Sequence, residues 1–507
     1  MALAFGTAGL RGPLQDGPDG MNVATVTRAT AGLAAWLTAH GHAGQTVVVG
    51  RDGRHGSPEF FAATTEVLAA AGFAVLALPD PGPTPLVAFA CRRLGAAAGV
   101  MITASHNPPQ DNGYKVYLDG GAQLIGPADR EIEACITAAP DAAAVPRTTV
   151  PSDPRAAAVR DDYLSRLDER FGAPVAGGIR VALTAMHGVG GALAVDALHR
   201  SGISDVVVVD EQFTPDPDFP TVAFPNPEEP GATDLLLALA AESDADLAIA
   251  LDPDADRCAA GVRDGDGSWR MLTGDETGAL LGNAVLDEHD PAADPRPVVA
   301  SSIVSGTLMD RLATVRGADA RRTLTGFKWL VRAGEPLVYA YEEALGHCVD
   351  PEAVRDKDGI SAAVALARLA CRCAAAGRTL GDALEDLMSR YGRHVTAQRA
   401  IRVDDTARIA AIMAGLRAEP PAAIAGIPVT LHDYLDAADG LRTDAVELTG
   451  SSGEMNLRIV ARPSGTEPKL KYYGQCSEEP GAAPADLPGL LARALAELPD
   501  GVTRRNA

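Results

Sequence analysis

The sequence predicts an α/β protein with three similar α/β domains, whose sheets are mixed and largely parallel, and a distinct C-terminal α+β domain. Short apolar, β-branched runs recur along the chain, each followed by a polar or glycine-rich loop and then an amphipathic stretch. Alternating strand-forming and helix-forming segments are typical of parallel sheets covered by helices. The chain has 507 residues, more than one hydrophobic core requires, so several domains are expected.

Five apolar runs are the candidate strands, and two amphipathic stretches are the clearest candidate helices. The strands are expected at residues 46–50, 98–102, 179–183, 247–251 and 336–340, and the helices at 24–40 and 58–71. Each strand leads into a polar loop, and ligands of parallel sheets bind beyond the carboxyl ends of the strands. The functional site is therefore expected where these loops meet.

The composition of the loops indicates where the domains end. Residues 138–155, rich in Ala, Pro, Asp and Thr, close a first domain, and residues 263–270 resemble a hairpin turn near the end of a second. From about residue 390 the spacing of apolar and polar segments changes. We expect domain I at 1–150, domain II at 151–268, domain III at 269–388 and domain IV at 389–507.

Charge and cysteine usage exclude several classes of function. The formal net charge is −23 and the pI is near 4.8, so the chain repels nucleic acid, although a local cluster of cations can still bind a small anion. The seven cysteines are scattered without a C-x-x-C pair, which indicates reduced thiols and a cytoplasmic protein. There is no signal-peptide pattern and no apolar run of about 18 residues, so no membrane span is expected.

Three aspartates alternate directly after one candidate strand, at Asp252, Asp254 and Asp256. Carboxylates spaced in this way can surround one hard cation, and oxygen ligands suit Mg²⁺ or Ca²⁺ and disfavour zinc. An EF-hand is excluded because Arg257 and Arg263 occupy the positions that need Gly and Glu. Arg257 favours a site that also binds phosphate. The alternative is a solvated acidic turn.

Ser105 also follows a strand, where a tight turn can expose a nucleophile. Taken alone, such a serine is more often a turn or helix-cap residue. His106 comes next, but sequence neighbours usually point apart and no G-x-S-x-G elbow is present, so an acyl-transfer pair is not indicated. Lys115 is a phosphate ligand, a proton acceptor or a surface lysine.

A loop near the C-terminus combines hydroxyls, glycine and cations, in Arg462, Ser464, Gly465 and Thr466. Exposed amides and hydroxyls can surround a phosphate whose charge an arginine neutralises. The alternative is a plain turn. No Walker loop and no G-x-G-x-x-G after a strand occur, so nucleotide cofactors have no support.

Glu342 and Glu343 follow another predicted strand. Two neighbouring carboxylates can accept hydrogen bonds from sugar hydroxyls. They equally suit the start of a helix, where the dipole stabilises acidic residues.

In their order, these motifs closely resemble those of the α-D-phosphohexomutase superfamily. Residues 103–117 resemble its serine loop, 252–257 its metal loop, 341–346 its sugar loop, 462–467 its phosphate loop and 5–12 its N-terminal signature. The resemblance covers residues 5 to about 473, nearly the whole chain. It implies four domains around a central cleft, each contributing one loop.

The resemblance implies an intramolecular phosphotransferase that interconverts sugar 1-phosphates with 6-phosphates or 5-phosphates. Ser105 would carry the phosphoryl group, and a sugar 1,6-bisphosphate would be intermediate and activator. The implied catalytic residues are Ser105, Lys115, Arg11 and His106, and the implied Mg²⁺ ligands are Ser105, Asp252, Asp254 and Asp256. The implied substrate-binding residues are Arg257, Lys328, Glu342, Arg462, Ser464, Gly465, Thr466 and Lys471. The expected partners are small phosphosugars, and the expected state is a monomer or a small homo-oligomer.

Lys115 is the expected general acid/base. A desolvated lysine beside cations can have a lowered pKa, which would let it accept a hydroxyl proton.

This chain departs from many members of the superfamily. Pro253 and Ala255 replace glycines in the metal loop, and Ala344 replaces the serine of Glu-x-Ser. With residues 325–330, these changes resemble the subgroup of phosphopentomutase-type and glucose-1,6-bisphosphate-forming enzymes. A phosphoglucomutase or phosphomannomutase is the first hypothesis. Phosphopentomutase, bisphosphate synthase, serine-dependent phosphatase and a non-catalytic phosphosugar-binding protein are the alternatives.

Overall fold

The computed structural model describes residues 5, 9–118, 120–172, 175–403, 405–438, 440–464 and 469–499. Its first sheet has the strand order β1-β5-β4-β2-β3, with β6 paired to β5. The strands are β1 (Leu10–Pro13), β2 (Thr46–Arg51), β3 (Ala74–Ala77), β4 (Ala98–Ile102), β5 (Asp111–Leu118) and β6 (Ala122–Gln123). The helices are α1 (Val23–Ala39), α2 (Ser57–Ala70), α3 (Thr84–Arg93) and α4 (Ala128–Ala138). Strands β2, β3 and β4 are parallel, whereas β5 runs antiparallel to β4 and β1.

The second sheet has the order β11-β10-β9-β7-β8. The strands are β7 (Arg180–Thr184), β8 (Asp205–Val208), β9 (Leu247–Leu251), β10 (Cys258–Arg263) and β11 (Trp269–Met271). The helices are α5 (Pro154–Phe171), α6 (Gly191–Arg200), α7 (Asp210–Phe213) and α8 (Asp234–Glu242). Strands β10 and β11 form the hairpin predicted at residues 263–270.

The third sheet has the order β13-β12-β14-β15. The strands are β12 (Val298–Ser302), β13 (Asp319–Thr323), β14 (Leu337–Glu342) and β15 (Gly346–Cys348). The helices are α9 (Gly274–Leu286), α10 (Leu308–Val315), α11 (Phe327–Leu330), α12 (Gly359–Ala375) and α13 (Leu380–Tyr391). Strand β14 continues through a turn into β15, so the helix start considered at Glu342 and Glu343 is wrong.

The C-terminal sheet is fully antiparallel, unlike the other three, with the order β16-β22-β21-β20-β19. The strands are β16 (His394–Arg402), β17 (Ala423–Ile424), β18 (Ile427–Pro428), β19 (Thr430–Asp433), β20 (Val446–Ser452), β21 (Met455–Pro463) and β22 (Lys469–Glu478), of which β17 and β18 form a separate small sheet. The helices are α14 (Thr406–Ala418) and α15 (Leu487–Glu497). Single 3₁₀ turns lie at Ala142–Ala144 and Tyr434–Asp436.

This architecture confirms the predicted fold class, and all five predicted strands are present within two residues at either end. The domain boundaries at 150, 268 and 388 stay predictions. Within the described part of the chain, no single helix combines the length and apolar composition of a membrane span. Helices α12 and α13 meet that test only together, as a pair bent by 88°.

Each of the first three sheets, together with its helices, is called a unit below, numbered in chain order. The largest buried apolar cluster joins residues of all three sheets, so the three units pack against one another. Tyr163 of α5 shows the arrangement, because its ring packs edge-on against Phe89 of α3 at 5.4 Å. Its hydroxyl donates to the Asp358 carboxylate at 2.8 Å, just before α12. Helix α5 is thereby joined both to α3 of the first unit and to the start of α12 in the third.

Candidate active site

The predicted segment 103–117 divides into a connection from β4 and most of strand β5, and the name serine loop is used from here on for residues 103–111. Ser105 is 2% exposed and adopts a left-handed backbone conformation with φ of 54°. Such a conformation costs a non-glycine residue about 1–2 kcal/mol, so the surroundings must hold it in place. Its amide donates to Thr103 Oγ1 at 2.8 Å, and its Oγ donates to Asp252 Oδ2 at 3.0 Å. The predicted nucleophile and the predicted metal loop are therefore in direct contact.

The metal loop follows β9 and brings its three aspartates together. Asp252, Asp254 and Asp256 are fully buried, and one oxygen from each lies within 4.8 Å of the others. The turn needs a close backbone approach at Gly188, where a Cβ would lie 2.3 Å from the Cα of Pro253. The solvated acidic turn considered as an alternative is therefore wrong.

These carboxylates fit a hard divalent cation. Among the described residues, Asp254 Oδ1 and Asp256 Oδ1 are buried without a hydrogen-bond partner. Burial and the two neighbouring carboxylates raise the pKa of Asp252 well above its usual range. A divalent cation would coordinate the unpaired oxygens and reduce the repulsion between the three carboxylates.

Lys115 reaches the metal loop from β5, where it pairs in register with Met101 of β4. Its Nζ lies 2.8 Å from Asp254 Oδ2 and 2.9 Å from Asp256 Oδ2. Burial lowers the pKa of Lys115, but the two carboxylates raise it more, and the net direction is upward. The prediction that the pKa of Lys115 is lowered is therefore wrong, because the charges closest to its ammonium group are anions rather than cations.

Lys357 is a site residue that the sequence analysis missed. Its Nζ lies 3.3 Å from Asp256 Oδ2 and 3.6 Å from Asp356 Oδ1. Asp356 in turn accepts a hydrogen bond from the Tyr117 hydroxyl at 2.9 Å, which ties the third unit to the first. A lysine between two aspartates directly before a buried helix is the signal that would have drawn attention to it.

Arg257, Arg11 and His106 surround the contact between Ser105 and the aspartates. Arg257 donates its amide to Asp252 Oδ1 at 3.0 Å, and Arg11 donates Nη1 to Asn107 Oδ1 at 3.3 Å. His106 Nδ1 lies 3.2 Å from Ser105 Oγ. Burial, Arg257 and Arg11 hold the pKa of His106 well below its usual range, so its imidazole is neutral at pH 7. A Ser–His contact is thus present, although adjacent residues were expected to point apart.

The two glutamates after β14 face different partners. Glu342 Oε1 accepts a hydrogen bond from the Gly326 amide at 2.6 Å, and burial, together with Glu343, raises its pKa. Glu343 Oε2 accepts hydrogen bonds from Ser302 Oγ at 3.0 Å and Ser305 Oγ at 2.8 Å. Glu343 is therefore bound inside the third unit.

Two of the predicted phosphate-binding residues are cations on neighbouring strands of the C-terminal sheet. Arg462 of β21 lies directly opposite Lys471 of β22, and Lys471 Nζ is 3.4 Å from Gln398 Oε1. Like charges opposite each other destabilise a sheet, so this pair suits an anionic ligand. The Ser464 amide donates to the Lys469 carbonyl at 2.8 Å. Gly465 and Thr466 lie outside the described residues.

Lys328 lies on α11, and its ammonium group is influenced by charges from three other segments. Burial lowers its pKa, Asp129 and Glu342 raise it, and Arg462 lowers it further. Glu342 and Arg462 therefore both act on the charge of Lys328.

Three domains of one protein family match consecutive parts of the chain. They are "Phosphoglucomutase/phosphomannomutase, alpha/beta/alpha domain I" at residues 2–142, domain II at 161–265 and domain III at 273–391.

Curated relatives match nearly the whole chain. A probable phosphomannomutase from Haemophilus influenzae is 40% identical over 95% of this chain and 97% of its own length. A human phosphopentomutase is 35% identical over 94% of this chain and 86% of its own length. A phosphoglucomutase from Staphylococcus aureus is 33% identical over 93% of this chain and 89% of its own length. A solved structure described as a putative phosphomannomutase from Thermus thermophilus shares the fold, with a TM-score of 0.76, 24% identity and coverage of 98% of both chains.

Proposed function

The chain belongs to the phosphoglucomutase/phosphomannomutase family and is a phosphosugar mutase, and from that premise we propose that it transfers phosphoryl groups through a phosphoserine at Ser105. One observation carries this proposal. Ser105 Oγ lies 3.0 Å from Asp252 Oδ2, within a buried group of carboxylates and cations that no purely structural turn requires. Phosphoryl transfer depends chiefly on alignment and charge neutralisation, which such a group supplies.

The metal of this site is proposed to be Mg²⁺. Asp252, Asp254 and Asp256 would hold it together with the phosphorylated Ser105, because hard oxygen ligands match its preference. When bound, it would act as a Lewis acid on the phosphoryl oxygens.

The residues around Ser105 have separate proposed roles in moving protons and in neutralising charge. When the bisphosphate returns a phosphoryl group, a bond forms between Ser105 Oγ and phosphorus, the bond from phosphorus to the sugar oxygen breaks, and the Oγ proton must leave. The Oγ donates this proton to Asp252 Oδ2 in the structure, and neutral His106, whose Nδ1 lies 3.2 Å from Oγ, is the proposed acceptor when the phosphoryl group arrives. Lys115, as a cation, donates a proton to the departing sugar oxygen, and Arg11 and Lys357 neutralise charge.

The opposite end of the cleft is proposed to hold the phosphate that is not transferred. Arg462, Ser464, Gly465, Thr466 and Lys471 are its proposed ligands. Lys328 and Arg257 add positive charge, and Glu342 accepts hydrogen bonds from sugar hydroxyls. This arrangement lets the bisphosphate turn around between half-reactions while the cleft excludes water.

We propose hexose phosphates, of glucose or mannose, as the substrates, with a sugar 1,6-bisphosphate as activator. Pentose phosphates are the second candidate, because Ala344 lacks the hydroxyl of Glu-x-Ser and the relatives include a phosphopentomutase. The free cysteines support a cytoplasmic location.

A coupled mutase assay with Mg²⁺ and a trace of the matching bisphosphate tests this proposal. It compares glucose 1-phosphate, mannose 1-phosphate and ribose 1-phosphate in parallel. Preferential turnover of a hexose phosphate supports the first candidate, and preferential turnover of ribose 1-phosphate supports the second. If the folded, metal-loaded protein turns over none of them, the proposal fails in favour of bisphosphate synthesis or binding.

A further inference from the structure

We propose that Arg54 is a positioning residue that holds the serine loop in the conformation from which Ser105 exchanges its phosphoryl group, an inference that rests on the proposed function of Ser105. Arg54 follows β2, and its guanidinium reaches across to four backbone carbonyls of the serine loop. Nη2 donates to the carbonyls of Ser105 at 2.6 Å and Asn107 at 2.5 Å. Nη1 donates to those of Pro108 at 2.8 Å and Asp111 at 3.2 Å.

This geometry requires an arginine. A guanidinium carries five donors in a rigid plane and no acceptor, so one side chain can satisfy several converging carbonyls. Apart from Asp111, the first residue of β5, the serine loop lies outside the helices and strands, and its buried carbonyls need partners from elsewhere in the fold. Two of the four bonds go to the carbonyl of Ser105 itself and to that of Asn107, two residues later, so Arg54 restrains the backbone turn from which Oγ projects.

The surroundings of Arg54 hold it in this orientation. Its Nε lies 3.3 Å from Asp52 Oδ2, and both side chains are 1% exposed. Asp52 Oδ1 is itself fixed by the Ser57 hydroxyl at 2.6 Å. On the other side, the guanidinium stacks over the ring of Phe219, from the second unit, at 4.9 Å.

A buried ion pair is a poor source of stability, because desolvation offsets the attraction between its charges. The ion pair between Arg54 and Asp52 is therefore better explained by what it positions than by stability, because it holds the guanidinium that bonds to the serine loop. Arg54 bonds to the backbone of the loop rather than to the reacting atoms, so it acts through Ser105.

The test compares Arg54→Lys with a matched control in the same domain. Arg54→Lys keeps the charge beside Asp52 but loses the planar fork. The control is Arg28→Lys, because Arg28 Nη2 also donates to backbone carbonyls, those of Ile136, Thr137 and Ala139 at the end of α4, away from the serine loop.

Four quantities are measured for each full-length, magnesium-loaded protein. They are the thermal unfolding temperature, kcat and KM for the sugar phosphate, and the single-turnover rate at which ³²P-labelled glucose 1,6-bisphosphate phosphorylates Ser105. We expect Arg54→Lys to lower the single-turnover rate and kcat by about tenfold to a hundredfold, with KM changed by less than about twofold. Arg28→Lys is expected to stay within about twofold of wild type in both kinetic constants.

A wild-type transfer rate in folded Arg54→Lys would overturn the inference. A parallel deterioration of unfolding temperature, KM and kcat, or failure to fold, would assign Arg54 to fold maintenance and overturn it equally. Ser105→Ala is assayed alongside. Label on another residue or persistent turnover in that variant refutes the proposed function itself, so the two failures are distinguishable.

Discussion

The two ends of the proposed cleft are built differently. At Ser105, the reacting oxygen, three carboxylates and two lysines are buried and bonded to one another at fixed distances. At Arg462 and Lys471, the cations are only partly buried and lie side by side on neighbouring strands. Under the proposed function, the first three units hold the groups that make and break bonds in fixed positions, and the C-terminal domain supplies charge for binding. Substitutions around Ser105 should lower kcat, and substitutions at Arg462 or Lys471 should raise KM.

The largest effect is expected for Ser105→Ala. Removing Oγ removes the phosphoryl acceptor, so turnover should fall by at least about 10⁴, while sugar-phosphate binding by calorimetry stays near normal. Ser268→Ala, in the exposed turn between β10 and β11, is the control and should behave as wild type. Near-normal turnover in Ser105→Ala would remove the basis of the comparison.

The next effect is expected for Asp254→Asn. Losing one of three carboxylates weakens metal binding, and kcat at fixed Mg²⁺ should fall about a hundredfold or more, since metal catalysis contributes several kcal/mol. Raising the Mg²⁺ concentration should restore part of the activity. Asp266→Asn changes an exposed aspartate of the hairpin turn and should leave metal affinity unchanged. Equal metal titrations for Asp254→Asn and wild type would contradict the proposed site.

A smaller effect of a different kind is expected for Lys471→Ala. A charge-assisted hydrogen bond to phosphate contributes about 1.5–3 kcal/mol, so KM should rise about tenfold to a hundredfold with a smaller change in kcat. The rise should shrink at high salt, which already screens the wild-type interaction. Arg442→Ala removes an exposed cation of the same domain as the control. A fall in kcat without a change in KM would break the distinction between the two ends.

The smallest effect concerns Asp275, a carboxylate in the first turn of α9 in the third unit. Asp275 accepts hydrogen bonds from the Gly306 amide and the Tyr341 hydroxyl, and burial raises its pKa to about 6. The native state therefore binds more protons than the unfolded state between about pH 4 and pH 6, and stability falls as the pH rises through that window.

Asp275→Asn tests this contribution, because an amide oxygen can still accept both hydrogen bonds. At pH 7 the variant should be more stable than wild type by on the order of 1 kcal/mol, and near pH 4 the two should agree. Urea unfolding at both pH values measures the difference. Parallel pH dependences for the two proteins would show that Asp275 does not titrate in this way.

The strands and the loops that end them were predictable from sequence because the signals are local. An apolar β-branched run followed by a polar turn specifies a strand whose end faces the site, as β4 and β9 do. The same rule brought Ser105 and the three aspartates to one place. The four-domain resemblance extended this reading to Arg462 and Glu342.

Only the tertiary structure decided which charges meet. Arg54 and Lys357 reach the site from segments far from Ser105 in sequence. The aspartates beside Lys357 could have marked it as a candidate, but no local pattern specifies which groups either side chain contacts. The pKa of Lys115 goes up rather than down because Asp254 and Asp256, 139 and 141 residues away, come within hydrogen-bond distance. Electrostatics depend on distance in space and on burial, and the packing of distant segments sets both.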